Sequence, residues 1–402
     1  MRSAIVIGGS LGGLLAANLL YKAGWEVNVY ERVGEELAER GAGVVTHAEL
    51  DAAFHRIGIS VDSSLGVAVP GRITLNRAGH IIGEHEHPQV LTAWGRLYSL
   101  LRQAFPSHRY HAGKQLVTTM QTGGQVTALF ADGTHAAGDL LIGADGIRST
   151  VRKQYMESVT PEYAGYVAWR GLVEEAELSP QAHATLFNRF SFCLPAHEQI
   201  LGYPVAGPQN TLEPGKRRYN FVWYRPADDI ELRRLLTDDL GKVHDNGIPP
   251  PLISKSVMQE IRQVAEAHLS PQFAEVVART PQPFFQPIYD LECPAMTFGR
   301  VALLGDSAFV ARPHCGMGVT KAAGDAMTLV HQIDQWGIDE GLRRFNDERV
   351  GFGRKIVAHA RHLGAYMQAQ LQTELQREMA ERYRTPDAVM TETAVAPEFA
   401  LH

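Results

Sequence analysis

Cysteine is scarce in this chain. Cys193, Cys293 and Cys315 are the only three among 402 residues, and no two form a C-x-x-C pair. A disulfide framework and a zinc site of the usual spacing are therefore not expected, as befits a protein of the reducing cytoplasm. The seventeen histidines show no recurring ligand spacing, so no metal is expected. No apolar run approaches the roughly 18 residues of a membrane span, so no membrane partner is expected. The apolar start is not read as a leader peptide, because its residues form the first strand of a nucleotide site. Basic residues are scattered and the net charge is −6. With no stripe of cations to follow a phosphate backbone, nucleic acid is not an expected partner. There are no internal repeats and no low-complexity tracts, and a hydrolytic serine is not expected.

What is present is glycine, at three places in a fixed order. The first is Gly8-Gly9-Ser10-Leu11-Gly12-Gly13. It follows the β-branched run Ser3-Ala4-Ile5-Val6-Ile7, which reads as a buried parallel strand. A helix over 14–23 and a second strand over 26–30 come next, ending at Glu31-Arg32. In this context glycines let the backbone approach a pyrophosphate at a helix N-terminus, and an acidic residue after the second strand meets ribose hydroxyls. Ser10 stands where the pattern's middle glycine is usual, so its side chain must turn away from the phosphates. The second place is Gly143-Ala144-Asp145-Gly146. The third is Gly305-Asp306, with Arg312-Pro313-His314-Cys315-Gly316-Met317-Gly318 just after it. In order, the three describe one chain wrapping a flavin dinucleotide, adenosine end early and ring end late.

Residues 40–45 read as a loop entering a strand, 72–86 as a hairpin and 96–105 as an amphipathic helix. Strands follow at 115–119, 125–130 and 139–142. The stretch 163–225 is aromatic and strand-rich, 227–280 helical with a break at Pro249-Pro250-Pro251. A buried strand over 300–304 precedes a helix over 319–335. The rest is helical to 383, and the last twenty residues read as frayed. The expected fold is α/β: a Rossmann-like FAD-binding domain, discontinuous over 1–70, 95–160 and 285–335. An antiparallel-sheet substrate domain, 71–94 and 161–284, is inserted into it, and 336–402 form C-terminal helices and a tail.

In order and context these motifs resemble the single-component FAD-dependent aromatic hydroxylases, the p-hydroxybenzoate hydroxylase-like family. The run from Asp139 to Ser149 and the run from Val301 to Ala308 carry most of the likeness, which covers about 3–360. Gly8-Gly9-Ser10, the run from Tyr163 to Gly171 and Arg312-Pro313-His314 look most like the branch acting on dihydroxypyridines. The resemblance implies non-covalent FAD, with NADH or NADPH as co-substrate and no separate nicotinamide domain. Gly8, Ser10, Leu11 and Gly13 would line the pyrophosphate turn. Glu31 would hold the adenosine ribose, and Arg96 would meet the pyrophosphate with Arg32 and Arg40 nearby. Asp145 belongs to a turn linked with both nucleotides, and Asp306 would contact the ribityl chain. Pro313, Gly316, Met317 and Gly318 would face the flavin ring, the helix start meeting its negative edge. Phe309 and Met317 depart from the family's usual histidine and glutamine.

The resemblance further implies a monooxygenase that uses O2 through a flavin C4a-hydroperoxide to hydroxylate a small hydroxylated aromatic or N-heteroaromatic ring. Related epoxidase, halogenase or dehydrogenase chemistry and a non-catalytic FAD sensor are the alternatives. The W-x-W-x-I-P halogenase signature is lacking. Trp169, Tyr203, Trp223 and Tyr224 are candidates to roof the flavin. His47, Tyr203, Tyr224, Pro313 and His314 would line the substrate pocket. His314 is the first candidate for the base that takes the substrate's hydroxyl proton, His47 its rival, and Tyr203 a hydrogen-bonding relay. Cys315 reads as a packing residue rather than a nucleophile. The protein is expected to be a monomer or homodimer.

Overall fold

A computed structural model describes residues 2–35, 43–245 and 247–400. Arg40, expected near the cofactor's charged groups, lies outside the described residues. The strand Ser3–Ile7 pairs in parallel with Glu26–Tyr30 on one side and Leu140–Gly143 on the other. Val301–Leu303 extends the sheet beyond Leu140–Gly143, and Tyr110–His111 and Thr297–Phe298 complete six strands. The central strands are almost wholly buried, because helix Leu11–Lys22 packs against the sheet and a three-stranded meander contacts it as well. Helix Leu11–Lys22 packs on one face against the long helix Gly318–Leu363. Buried Asn18 binds it to helix Trp94–Ala104 through the Leu101 carbonyl (3.0 Å).

A second sheet has nine strands, in the order Phe309–Val310, Phe284–Glu292, Glu162–Glu174, Arg218–Pro226, Gln199–Val205, Phe190–Cys193, Val67–Leu75, Ile81–Ala93 and Gly43–Val45. It is antiparallel except where Phe190–Cys193 runs parallel to Val67–Leu75, so the sheet is mixed rather than purely antiparallel. Gly43–Val45 and the start of Val67–Leu75 belong here, although the division above counts 1–70 with the nucleotide-binding part. A separate meander, Leu116–Thr122, Gln125–Phe130 and His135–Gly138, forms a third sheet.

Both faces of the large sheet are buried. One face carries Val167, Trp169, Phe221 and Trp223 against helices Pro180–Leu186, Lys255–His268 and Pro271–Arg279. The other carries Tyr166, Ala168, Leu201, Tyr203, Val222 and Tyr224 toward Cys315, Met317 and the C-terminal segment. Trp169 and Trp223 pair in register and point away from the nucleotide-binding sheet. Of the four aromatic residues expected to roof the flavin, only Tyr203 and Tyr224 face inward.

The helix expected to end near 335 bends at Gly337 (φ +77°) and runs on to Leu363. The end of the chain is not frayed. Helices Glu374–Tyr383 and Pro386–Glu392 fold back over the inner face, burying Met390, Thr393 and Ala394. Buried Arg72 clamps them. It donates to the carbonyls of Met390 (3.0 Å), Thr393 (2.6 Å) and Ala394 (3.3 Å) and to Gln89 Oε1.

Candidate active site

The first glycine turn is tightly packed. Gly8 has φ +102°, and a side chain there would drive into the Ala144 backbone. A side chain on Gly13 would meet the Gly8 carbonyl, so strand, turn and helix approach as closely as backbones can. Ser10 caps helix Leu11–Lys22 through its backbone only, and its side chain makes no capping bond. The letters Gly8-Gly9-Ser10-Leu11-Gly12 also spell a nucleophile-elbow pattern, G-x-S-x-G. A hydrolase would need a histidine on that serine, and no imidazole bonds Ser10 among the described residues. Leu11 points its side chain into the core, leaving its backbone to the turn.

A cavity of about 290 Å³ opens beside this turn, lined among others by Gly8, Ser10, Glu31, Arg32, Asp145 and Arg148. Buried Glu31 accepts from the backbone N–H groups of Gly9 (2.7 Å) and Val33 (2.9 Å). Each carboxylate oxygen keeps a second acceptor position for a ribose hydroxyl. Asp145 has a different task. Its carboxylate accepts from Ser149 Oγ (2.5 Å) and the Thr150 and Val151 N–H groups, capping helix Thr150–Tyr155. Arg96 does not line this cavity. It donates to Ser64 (3.2 Å), and its buried Nε has no partner.

The second and third motifs are locked together. Arg152 donates to the carbonyls of Ser307 (2.9 Å) and Ile147 (2.5 Å), and Ser307 Oγ donates to Gly143 O (2.5 Å). Asp325 accepts from Gly305 N–H (3.1 Å) and Arg349 Nε (2.7 Å), fixing the turn that presents Asp306. Asp306 opens onto a larger cleft of about 850 Å³, shared with Arg148, Tyr289 and Pro313. Asp306 is itself exposed to the cleft; desolvation by the protein around it raises its pKa, Lys321 opposes the rise and Asp325 adds to it.

Gly316 (φ +66°) lets the loop Pro313–Cys315 turn into helix Gly318–Leu363. The two candidate bases meet at this turn. A Cβ on Gly316 would sit 3.5 Å from His47 Cε1, and His314 lies two residues before it. His47 Nδ1 bonds Thr320 Oγ1 (2.9 Å), and its buried Nε2 has no partner. Burial pushes its pKa down to about 4. His314 is fully enclosed. Its Nε2 bonds the Tyr166 hydroxyl (2.8 Å), its ring packs 4.2 Å from that of Tyr224, and Nδ1 is unpartnered. Burial, then Arg312 and Arg170, hold its pKa well below the ordinary histidine value. The hydroxyl bonded to His314 is thus that of Tyr166, not that of Tyr203, the residue expected as a relay. Tyr203 stacks on Phe190 (4.9 Å) under Gly43, where a side chain would strike its ring. Both histidines are kept neutral, and both hold a proton too weakly to be strong bases. Buried Cys315, its thiol pushed up to about 11 by burial, packs rather than attacks.

The geometry defines a dinucleotide-binding fold whose glycine turns open on two cavities, with a buried aromatic cluster, Tyr166, Tyr224 and His314, packed behind the third turn. Residues 163–290, the sheet region, match the family model described as FAD binding domain-like. The chain is 34% identical over 337 residues to 2,6-dihydroxypyridine 3-monooxygenase of Paenarthrobacter nicotinovorans, covering 81% of each. It belongs to the FAD-dependent aromatic monooxygenases, flavoproteins that take electrons from NAD(P)H. The solved structure of 2,6-dihydroxypyridine-3-hydroxylase from Arthrobacter nicotinovorans matches it with TM-score 0.86 at 29% identity, over 93% of this chain and 94% of that one. HpxO of Klebsiella pneumoniae, solved with FAD and uric acid, shares the fold with TM-score 0.76 at 22% identity, each chain covered to 97%.

The residues present fit FAD. The Gly8–Gly13 turn brings a helix N-terminus to the cavity that Gly8, Ser10 and Glu31 line, and Arg96 Nε is an orphaned cationic donor. Sequence reasoning missed Arg148, Tyr166 and Arg170. The signal for Arg170 was present: a lone charge inside the apolar run Tyr166-Val167-Ala168-Trp169-Arg170.

Proposed function

We propose that this monooxygenase hydroxylates a small N-heteroaromatic ring that already bears a hydroxyl group, a hydroxypyridine-like substrate. The observation that carries the reading is the shared 34% identity, over four fifths of both chains, with an enzyme named for a dihydroxypyridine. FAD, held without a covalent link and reduced by NAD(P)H, would activate O2, one oxygen atom going to the substrate and the other to water. The Gly8–Gly13 turn would hold its pyrophosphate, Glu31 its ribose and Asp306 its ribityl chain, while Arg96, outside that cavity, would reach the phosphates only by leaving Ser64. The N–H groups from Gly316 to Gly318 stabilise negative charge on the ring.

The cluster of Tyr166, Tyr224, His314 and Met317 is buried, so it keeps water from the reacting centre. His47 and His314, neutral at physiological pH, act there as hydrogen-bonding partners that orient the ring. The test is to supply NADH or NADPH with a panel of hydroxypyridines, hydroxybenzoates and other phenols. Reductant consumption should be slow alone and strongly stimulated by hydroxypyridines, with hydroxylated product formed in step. Stimulation by none of them, with peroxide as the sole product, would make the protein an oxidase instead.

A further inference from the structure

Arg170 sits on strand Glu162–Glu174, on the inward face it shares with Tyr166 and Ala168, and it pairs with Val222. On either side along that face are Tyr224, opposite Ala168, and Asn220, opposite Leu172. Asn220 in turn faces Tyr203. Arg170 is half-buried, and its Nε is enclosed with no hydrogen-bond partner. Arg312 has Asp290 at 2.8 Å, Arg349 has Asp325 at 2.7 Å, and Arg72 has three backbone carbonyls and Gln89. Among the described residues Arg170 has no carboxylate. The titratable groups that feel its charge are Tyr203, Tyr224 and His314, from three separate segments, and none of them is an anion.

Asn220 adds a second free donor. It is wholly buried, and its Oδ1 accepts from the Gly43 N–H (3.2 Å). A backbone N–H can only donate, so the amide oxygen is fixed there and Nδ2 is left over, unpartnered. An enclosed guanidinium Nε and an orphaned amide donor on the same sheet face are both left unsatisfied unless a ligand reaches them. The ligand that does so is an anion with oxygen acceptors.

We infer that Arg170, assisted by Asn220 Nδ2, is the substrate-anchoring residue, and that it binds the hydroxylated heteroaromatic as its mono-anion. The hydroxyl proton leaves to bulk water before binding, so no side chain has to remove it. The anionic oxygen then pushes electron density onto the ring carbon to be hydroxylated. This rests on the hydroxypyridine reading above. It also accounts for two histidines at the turn that are poorly suited to hold a proton.

The experiment uses FAD-loaded protein under nitrogen, without NAD(P)H. Binding of 2,6-dihydroxypyridine and two other hydroxypyridines is read from the flavin absorbance change between pH 5.5 and 8.5. In wild type, Kd should fall about tenfold per pH unit below the probe's own hydroxyl pKa and level off above it. Arg170→Gln should bind roughly ten- to a hundredfold more weakly, the worth of a charge-assisted hydrogen bond, with a flattened pH profile. Arg170→Lys should keep the profile at intermediate affinity. If Arg170→Gln does not hold FAD, the wild-type and lysine profiles decide. Wild-type affinity independent of pH, or an unchanged profile in Arg170→Gln, overturns the assignment and leaves the hydroxypyridine reading standing. No binding of any probe at any pH overturns both.

Discussion

Glu31, proposed to meet the cofactor's ribose, also fixes local structure. Its oxygens gather the Gly9 and Val33 N–H groups, so the carboxylate shapes the turn before any ribose arrives. Glu31→Ala should therefore weaken FAD binding by roughly ten- to a hundredfold, through one lost charge-assisted hydrogen bond and a looser turn. Flavin fluorescence titration of the apoprotein measures this, and equal Kd in wild type and variant would remove Glu31 from the cofactor site. The position of Glu31 was legible in the sequence, because strand, glycine turn, helix and strand follow one another with little between them. Trp169 and Tyr224 were not legible in the same way. Both faces of their sheet are buried, so apolar alternation does not say which is the inner one. Tyr166 escaped because its bond to His314 spans 148 residues and no local pattern encodes it.

At the scale of elements, the C-terminal segment is the least expected part of the site. Pro386–Glu392 and the residues after it contain few large apolar side chains, which is why the sequence reads as frayed. They are held instead through backbone carbonyls, by an arginine more than three hundred residues earlier in the chain. Ala394 adopts φ +55°, and its N–H donates to the His314 carbonyl (2.6 Å). Its backbone also lies beside the His47 ring. The segment therefore braces the loop that carries His314 and Gly316. Arg72→Met should free it, leaving buried carbonyls unpaired at about 1–3 kcal/mol each. Thermal stability should drop, and in the turning-over enzyme more NAD(P)H should be diverted to peroxide while FAD content stays near normal. Protease susceptibility around residue 390 and peroxide yield report the two effects. A variant as tightly coupled and as protease-resistant as wild type would show that the segment is not part of the site.

For the whole molecule, buried neutral histidines set how stability depends on pH. An unfolded histidine titrates near 6.5. In the fold, burial moves His47 and His359 down to about 4 and His314 well below its ordinary value. Between these limits the unfolded chain binds more protons than the native one, so acid favours unfolding. The contribution is complete above about pH 6.5 and is lost as pH falls toward 4, at up to about 1.4 kcal/mol per pH unit for each histidine. Carboxylates act lower. Against the burial that would raise it, Arg217 and His183 hold Glu175 down to about 2, so its loss begins only below the ordinary glutamate range. The prediction is a Tm that declines steadily from pH 7 to pH 4.5 in FAD-saturated protein. The double variant His47→Gln, His314→Gln should decline less steeply over that window. Parallel Tm curves between pH 7 and pH 4.5 would mean that these two imidazoles are protonated in the folded protein, and that their assigned neutrality is wrong.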